Sequence, residues 1–332
     1  MINIQTHKNN LGFTMIELIF VIIILGIVSS IGSSIIARLY ENYILQRATH
    51  RASLKTELAA QQIANYLSYR IPGTTLAKNP NTLTDIVLIT DPSSLTDRKH
   101  SVLEWIGSDN DGFTAKTKPG WNGFADISAS SQAIVKTPGS HLPIAKRVIS
   151  NLSNSSVNLY NTTGPNVAIF FRVIKDKRYT KNPDNDYAVD CMGLVTADRS
   201  CVSTVRRSAS GTTNRDQTLS FVTGHATKKV LTEQYKLAWT AYAIVPFKTD
   251  GTGPCTEGES PCDLRLYYNY QPWDAASKRL VFDNTIPHAT IVTNVTTFKF
   301  AELGSTLRIK LCAQENIGDT NISICKEKAI IL

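Results

Sequence analysis

Proline is absent from the first 71 residues of this 332-residue chain, and charge is nearly absent from one stretch within them. Residues 13–37 carry a single charged side chain, that of Glu17. As a helix these 25 residues extend about 37 Å, which is enough to cross a hydrocarbon core of ~30 Å. A conventional secretory signal has a shorter apolar run of ~7–15 residues. The segment therefore predicts a membrane-spanning helix and argues against a soluble cytosolic protein.

Motifs of catalysis and metal binding are also absent. The chain contains no GxSxG, HExxH, GxxxxGK[ST] or CxxC, and its six histidines stand singly. We therefore expect no enzymatic activity, no cofactor and no metal site. Asp109-Asn110-Asp111-Gly112 resembles a fragment of a calcium loop, but the further acidic positions of an EF-hand are missing. An ordinary Asx turn is the favoured interpretation, with a structural calcium as the alternative. The same holds for Asp184-Asn185-Asp186.

The cysteines are even in number and fall in neighbouring pairs. Their spacing predicts three disulfides that close short loops: Cys191–Cys201, Cys255–Cys262 and Cys312–Cys325. Six unpaired thiols are the alternative. Because disulfides persist in oxidising compartments, the pattern places the residues after about Arg38 outside the cytoplasm.

Excess positive charge is modest and spread thinly. The chain has 35 basic and 27 acidic residues, a net charge of +8, and its only Arg-Arg or Lys-Lys doublets are Arg206-Arg207 and Lys228-Lys229. A solvated basic surface is the favoured interpretation, and contact with the phosphates of DNA or lipid is the alternative.

Residues 38–70 consist mainly of good helix formers, and a stop signal follows at Ile71-Pro72-Gly73. An apolar face is indicated by residues at three- and four-residue steps: Leu54, Leu58, Ala59, Ile63 and Leu67. We expect one helix from about Phe13 to Arg70, with two helices hinged near Gly32 as the alternative.

The rest of the chain is rich in β-strand patterns. Strands are predicted at 86–89, 102–106, 168–173, 219–222, 235–245, 264–270, 295–300 and 329–332, and loops at 72–84 and 137–143. Gly304-Ser305 marks the turn of a hairpin. The fold class is therefore α+β, with a long N-terminal helix whose first half spans a membrane and whose second half packs on an antiparallel sheet.

The sequence Gly12-Phe13-Thr14-Met15-Ile16-Glu17, followed by an apolar run, resembles the type IV prepilin signature. The resemblance implies that prepilin peptidase cleaves after Gly12 and methylates the new terminus at Phe13. Glu17 would then be the fifth residue of the mature chain and would pair with the terminal cation of a neighbouring subunit.

Residues 290–312, TIVTNVTTFKFAELGSTLRIKLC, are similar to the closing hairpin of J-type minor pseudopilins and W-type minor pilins. The resemblance implies a leader at 1–12, a membrane and filament-core helix at 13–37, an amphipathic continuation at 38–70 and a periplasmic β-rich domain at 71–332. It implies a single-pass protein of the bacterial inner membrane that enters a pseudopilus or pilus serving protein secretion, DNA uptake or adhesion. Its partners would be prepilin peptidase, other pilin subunits and the assembly platform, with DNA or a secreted substrate as a further partner. A membrane-anchored periplasmic receptor without a filament role is the alternative.

A glycosylation acceptor is the last candidate site. Several Asn-x-Ser/Thr sequences occur, but only Asn321 has an acidic residue two positions earlier, as some bacterial systems require. An unmodified loop is the favoured interpretation.

Overall fold

The computed structural model describes residues 14–89, 99–115, 117–160, 164–171, 191–200, 202–222, 231–256, 258–275, 279–283, 285–304, 306–318 and 320–331. Its helices are α1 (Met15–Ser68), α2 (Asn110–Phe113) and α3 (Leu142–Leu152), with a short 3-10 helix at Arg215–Gln217. Its strands are β1 (Leu76–Asn79), β2 (Thr82–Leu88), β3 (Val102–Gly107), β4 (Ile134–Lys136), β5 (Val167–Phe171), β6 (Ser203–Arg207), β7 (Thr218–Phe221), β8 (Tyr235–Ala238), β9 (Thr240–Lys248), β10 (Cys262–Tyr270), β11 (His288–Leu303), β12 (Thr306–Ile317) and β13 (Thr320–Ile331).

Helix α1 is a single element of 54 residues, about 81 Å long at ~1.5 Å per residue. It continues through Gly32 without interruption, so the predicted long helix is confirmed and the hinged alternative is wrong. The helix ends at Ser68, and Arg70 then forms an isolated bridge with Gly107 of β3. The chain thus turns from the helix directly into the sheet.

The face of α1 that packs on the sheet differs in part from the predicted one. Its buried residues are Ala52, Thr56, Ala59, Ala60, Ile63 and Leu67. Leu54 and Leu58 are 51% and 61% exposed, so their assignment to the packed face was wrong. Small side chains lie at the contact instead, because alanine lets the helix backbone approach the pleated sheet closely.

An eight-stranded antiparallel sheet carries the helix, in the order β13-β12-β11-β10-β9-β3-β1-β2. Helix α1 lies mainly over β12 and β13 at one end of this sheet. The core between them contains Ile63 and Leu67 of the helix and Trp105, Leu307 and Leu311 of the sheet. This arrangement confirms the predicted α+β class.

A five-stranded antiparallel sheet, in the order β4-β7-β6-β5-β8, is formed by residues inserted between β3 and β9. Helix α3 covers one of its faces through Leu142, Ala145 and Ile149. The strand predicted at 235–245 is in fact two strands, since β8 belongs to the small sheet and β9 to the large one. The chain changes sheets at Trp239, where the apolar sequence gives no sign of a break.

Three local predictions need correction. The segment 72–84, expected to be a loop, contains β1 and the start of β2, and 137–143 runs into α3. The short last strand expected at 329–332 is the twelve-residue β13. Charged residues at 326–328 hide its alternation in the sequence, since Lys326 and Lys328 turn toward α1 rather than solvent.

Candidate assembly site on the long helix

Glu17 lies in the first turn of α1, just after the N-cap residue Thr14. Its backbone N–H donates to the Thr14 carbonyl at 3.1 Å, and its side chain is exposed. Gly12 and Phe13, the two predicted processing residues, lie outside the described residues. The positive end of the helix dipole stabilises a carboxylate in this first turn. If lipid surrounds the carboxylate, it also requires a cationic partner.

The first two thirds of α1 are mostly exposed within the described part of the chain. None of residues 15–51 is buried, and the exposed side chains include Phe20 at 61% and Leu25 at 58%. An 18-residue window of this helix has a mean hydropathy of 2.6 and is not buried at all. So large an apolar surface is not stable in water, so this part of the helix requires lipid or the apolar surface of another protein.

Polar groups within this apolar stretch are satisfied by the helix itself. The Ser34 hydroxyl donates to the Ile31 carbonyl at 2.8 Å, and further along Thr49 donates to Leu45 at 2.8 Å. Such bonds remove the cost of placing a hydroxyl in hydrocarbon. Gly26 and Gly32 have open space where a Cβ would stand, so no contact within the described chain requires glycine at either position.

Ion pairs attach the C-terminal third of α1 to the edge of the large sheet. Glu57 pairs with Lys328 and, at 3.7 Å, with Lys326, both on β13. Lys55 pairs with Glu315 of β12 at 3.1 Å. The hydrogen bond from Lys328 holds the pKa of the Glu57 carboxyl below its usual value. These pairs are part-exposed, so they fix the orientation of the helix more than they stabilise the fold.

Sequence reasoning missed these ion pairs, although one signal was present. Lys326 and Lys328 occupy alternate positions on an edge strand, and inward-pointing lysines are a common feature of such edges. Their partner on α1 is about 270 residues away in the chain, so its identity was not accessible from local patterns.

Two of the three predicted disulfides are present. Cys312 and Cys325 are directly opposite each other on β12 and β13, and Cys255–Cys262 closes the loop before β10. Cys191 is also disulfide-bonded, and Cys201, its predicted partner, lies outside the described residues. The Cys312–Cys325 bond joins β12 and β13, the two strands on which α1 packs, so it stabilises the surface that contacts the helix.

The segment Asp109-Asn110-Asp111-Gly112, for which an Asx turn was the favoured interpretation, contains the N-cap and the first three residues of α2. Asp109 is 1% exposed and accepts hydrogen bonds from Gly112 N at 3.1 Å and from the Trp121 indole Nε1 at 3.0 Å. Burial raises the pKa of this carboxyl to about 7, against the effect of these bonds. Its oxygens are thus committed to protein donors. No group of three His, Cys, Asp or Glu side chains suited to a metal occurs among the described residues, and Asp184-Asn185-Asp186 lies outside them.

A buried charge network was not anticipated from the sequence. Lys78 of β1 and Glu104 of β3 form an ion pair with side chains 1% and 0% exposed. Tyr270 donates to Glu104 Oε1 at 2.7 Å, and Lys78 donates to the Leu194 carbonyl at 2.5 Å. Burial and the charge of Glu104 raise the pKa of the Tyr270 hydroxyl well above its usual value. The network joins β1, β3 and β10 of the large sheet to the segment after Cys191, so its role is structural.

Of the remaining candidate residues, Asn321 and the Arg206-Arg207 doublet lie within the described residues. Asn321 is exposed near the start of β13, and Asp319 before it lies outside the described residues. Arg207 of this doublet pairs with Asp216 at 2.8 Å and stacks on the Tyr160 ring, with 3.4 Å from Cζ to the centroid. Lys228-Lys229 lies outside the described residues. Arg207 is therefore already engaged in contacts within the protein.

Comparison with known proteins identifies the segment that leads into α1. Residues 7–33 match the family model of the prokaryotic N-terminal methylation motif. No curated protein and no solved structure matches the chain. The matched residues contain Gly12, Phe13 and Glu17 and end within the apolar part of α1. The motif indicates prepilin-type processing and a pilin-like role, and it supports a place for the chain in the type IV pilin-like family.

Proposed function

We propose that this protein is a minor subunit of a pseudopilus or type IV pilus, made as a precursor and processed between Gly12 and Phe13. The main support is one relationship: the methylation motif leads directly into a helix whose residues 15–51 are not buried in their own fold. A filament of parallel subunits supplies the apolar partners that this helix lacks, and the bilayer supplies them before assembly.

In this proposal Glu17 determines how neighbouring subunits align in the filament. Cleavage after Gly12 creates a positive α-amino group on Phe13, four residues before Glu17. In a helical array the carboxylate of one subunit neutralises the terminus of its neighbour. A buried ion pair adds little net stability but strongly penalises arrangements that leave one charge alone.

The large β-rich part supports a minor rather than a repeating position. The mature chain would have 320 residues, and a complete five-stranded sheet is inserted between β3 and β9. This bulk is more easily accommodated near the tip of a filament than in every repeat. Moving α1 from lipid to other helices exchanges one apolar environment for another, so a cytoplasmic ATPase has to supply little hydrophobic work.

The test is the N-terminus of the native protein. We expect Edman sequencing and intact mass to show a chain that begins with N-methylated Phe13. A Gly12→Val variant should retain residues 1–12, because a branched side chain replaces glycine at the cleavage position. A native chain that still begins at Met1 would overturn the proposal and favour the membrane-anchored receptor. Loss of protein secretion, DNA uptake or adhesion in a deletion strain then identifies the process that the filament serves.

A further inference from the structure

Residues 38–51 of α1, called the stalk below, connect the apolar span to the first buried residue, Ala52. The stalk is about 21 Å long by the helical rise, and none of its residues is buried. It begins at Arg38, the first charged residue after Glu17. Its first turns therefore stand at the level of the lipid headgroups when residues 15–37 span a bilayer.

The stalk is cationic and carries its aromatic residues near the span. The stalk contains three arginines, Arg38, Arg47 and Arg51, and one acidic residue, Glu41. Within the described residues none of the three guanidinium groups forms an ion pair, although most other charged side chains nearby on α1 do. Tyr40 and Tyr43 are 66% and 60% exposed. The three arginines are exposed as well. Exposed tyrosine and arginine side chains next to an apolar span are typical of the membrane–water interface.

The direction of the helix determines which arginines reach the headgroups. Side chains on an α-helix tilt toward its N-terminus, and the N-terminus of α1 is the membrane end. The Arg47 Cα stands about 14 Å beyond that of Arg38, and its long side chain points back across roughly half of that distance. Arg51 starts about 20 Å beyond Arg38. The headgroup layer is roughly 5–7 Å thick, and the Debye length is ~8 Å at physiological salt.

We propose that the stalk binds anionic phospholipid headgroups, with Arg38 and Arg47 as the phosphate contacts and Tyr40 and Tyr43 at the lipid boundary. The occupant is assigned from charge complementarity and from the continuity of the stalk with the apolar span. Arg51 lies beyond the lipid contact and is the natural internal control. This inference rests on the membrane insertion in the proposed function, but not on cleavage or filament assembly.

The test uses the full chain in proteoliposomes of phosphatidylcholine, with or without phosphatidylglycerol, with the globular part facing outward. Phenylglyoxal modifies accessible arginines, and mass spectrometry gives the modification rate at each position. We expect phosphatidylglycerol to slow modification of Arg38 and Arg47 about fivefold, the factor for ~1 kcal/mol per cation near an anionic surface. The Arg51 rate should change by less than about twofold, and ~1 M salt should remove the difference at Arg47.

The outcomes separate this inference from the proposed function. A chain that does not float with the vesicles contradicts both. A chain that floats but shows equal rates at Arg38 and Arg47 in the two lipid mixtures contradicts the headgroup contact alone. Equal protection of all three arginines by phosphatidylglycerol contradicts the depth assignment, since it shows that Arg51 also reaches the anionic surface.

Discussion

The indole Nε1 of Trp121 donates to Oδ2 of Asp109 at 3.0 Å, in a position where the carboxyl group is almost fully buried. Asp109 also caps α2, and its backbone N–H donates to the Leu237 carbonyl of β8 at 2.7 Å. The residue therefore joins α2, the loop at Trp121 and the last strand of the small sheet. Because burial outweighs the hydrogen bonds, the acid is easier to protonate here than in water.

The first prediction is a loss of stability with rising pH caused by Asp109. Its pKa is raised from 3.8 in the unfolded chain to about 7 in the fold. The corresponding stabilisation is complete below about pH 4 and is lost as pH rises through about 7, up to about 4 kcal/mol at ~1.4 kcal/mol per pKa unit. Denaturant titrations of the full chain in detergent between pH 4 and 8 should show this slope, and Asp109→Asn should flatten it.

Asp111 provides the matched control for Asp109. It lies two residues away, is exposed, and its charge contributes to the raised pKa of Asp109. We expect Asp111→Asn to retain the slope with a slightly lower midpoint. If both variants retain the wild-type slope, the fold does not bury Asp109 as the structure shows.

The second prediction concerns the small residues under α1. Ala60 is fully buried against the sheet, so Ala60→Leu should force the helix away from it and destabilise the fold by about 1–3 kcal/mol. Leu58→Ala, on the exposed side, should cost less than about 0.5 kcal/mol in the unassembled subunit. The free energies of unfolding of the two variants are measured side by side. If Leu58→Ala were the more destabilising of the two variants, Leu58 rather than Ala60 would pack on the sheet, as the sequence pattern indicated.

The third prediction concerns the bond between β12 and β13. Replacing both Cys312 and Cys325 by serine should destabilise the chain by about 3 kcal/mol in oxidising buffer, from the loop-closure entropy of the unfolded state. The double replacement of Cys255 and Cys262 should cost slightly less, because that loop is shorter. Equal stability of the first variant and the wild type would show that Cys312 and Cys325 are not bonded in the native protein.

The fourth prediction separates assembly from insertion. Glu17→Ala or Glu17→Val should remove the partner of the Phe13 terminus and reduce filament incorporation, while membrane fractionation stays unchanged, since the variant helix is more apolar. Glu41→Ala, on the same helix beyond the span, should assemble normally. Wild-type incorporation of the Glu17 variants in sheared filament fractions would contradict the assigned role.

The sequence predicted those features that depend on neighbours along the chain. The apolar run after Glu17 and the proline-free composition up to Ile71 predicted α1, because helix formation and membrane insertion are decided within one segment. Alternation predicted β10 and part of β11, and a short run of strand-forming residues predicted β3. Two disulfides followed from spacing because each closes a short local loop.

Only the tertiary structure decided which surfaces meet. It placed Ala60 rather than Leu58 against the sheet, changed sheets at Trp239, turned Asp109 inward, and brought Lys328 to Glu57. These relationships join residues far apart in the sequence. Their selection depends on shape, burial and charge at contacts that exist only once the chain has folded, and local periodicity contains no information about them.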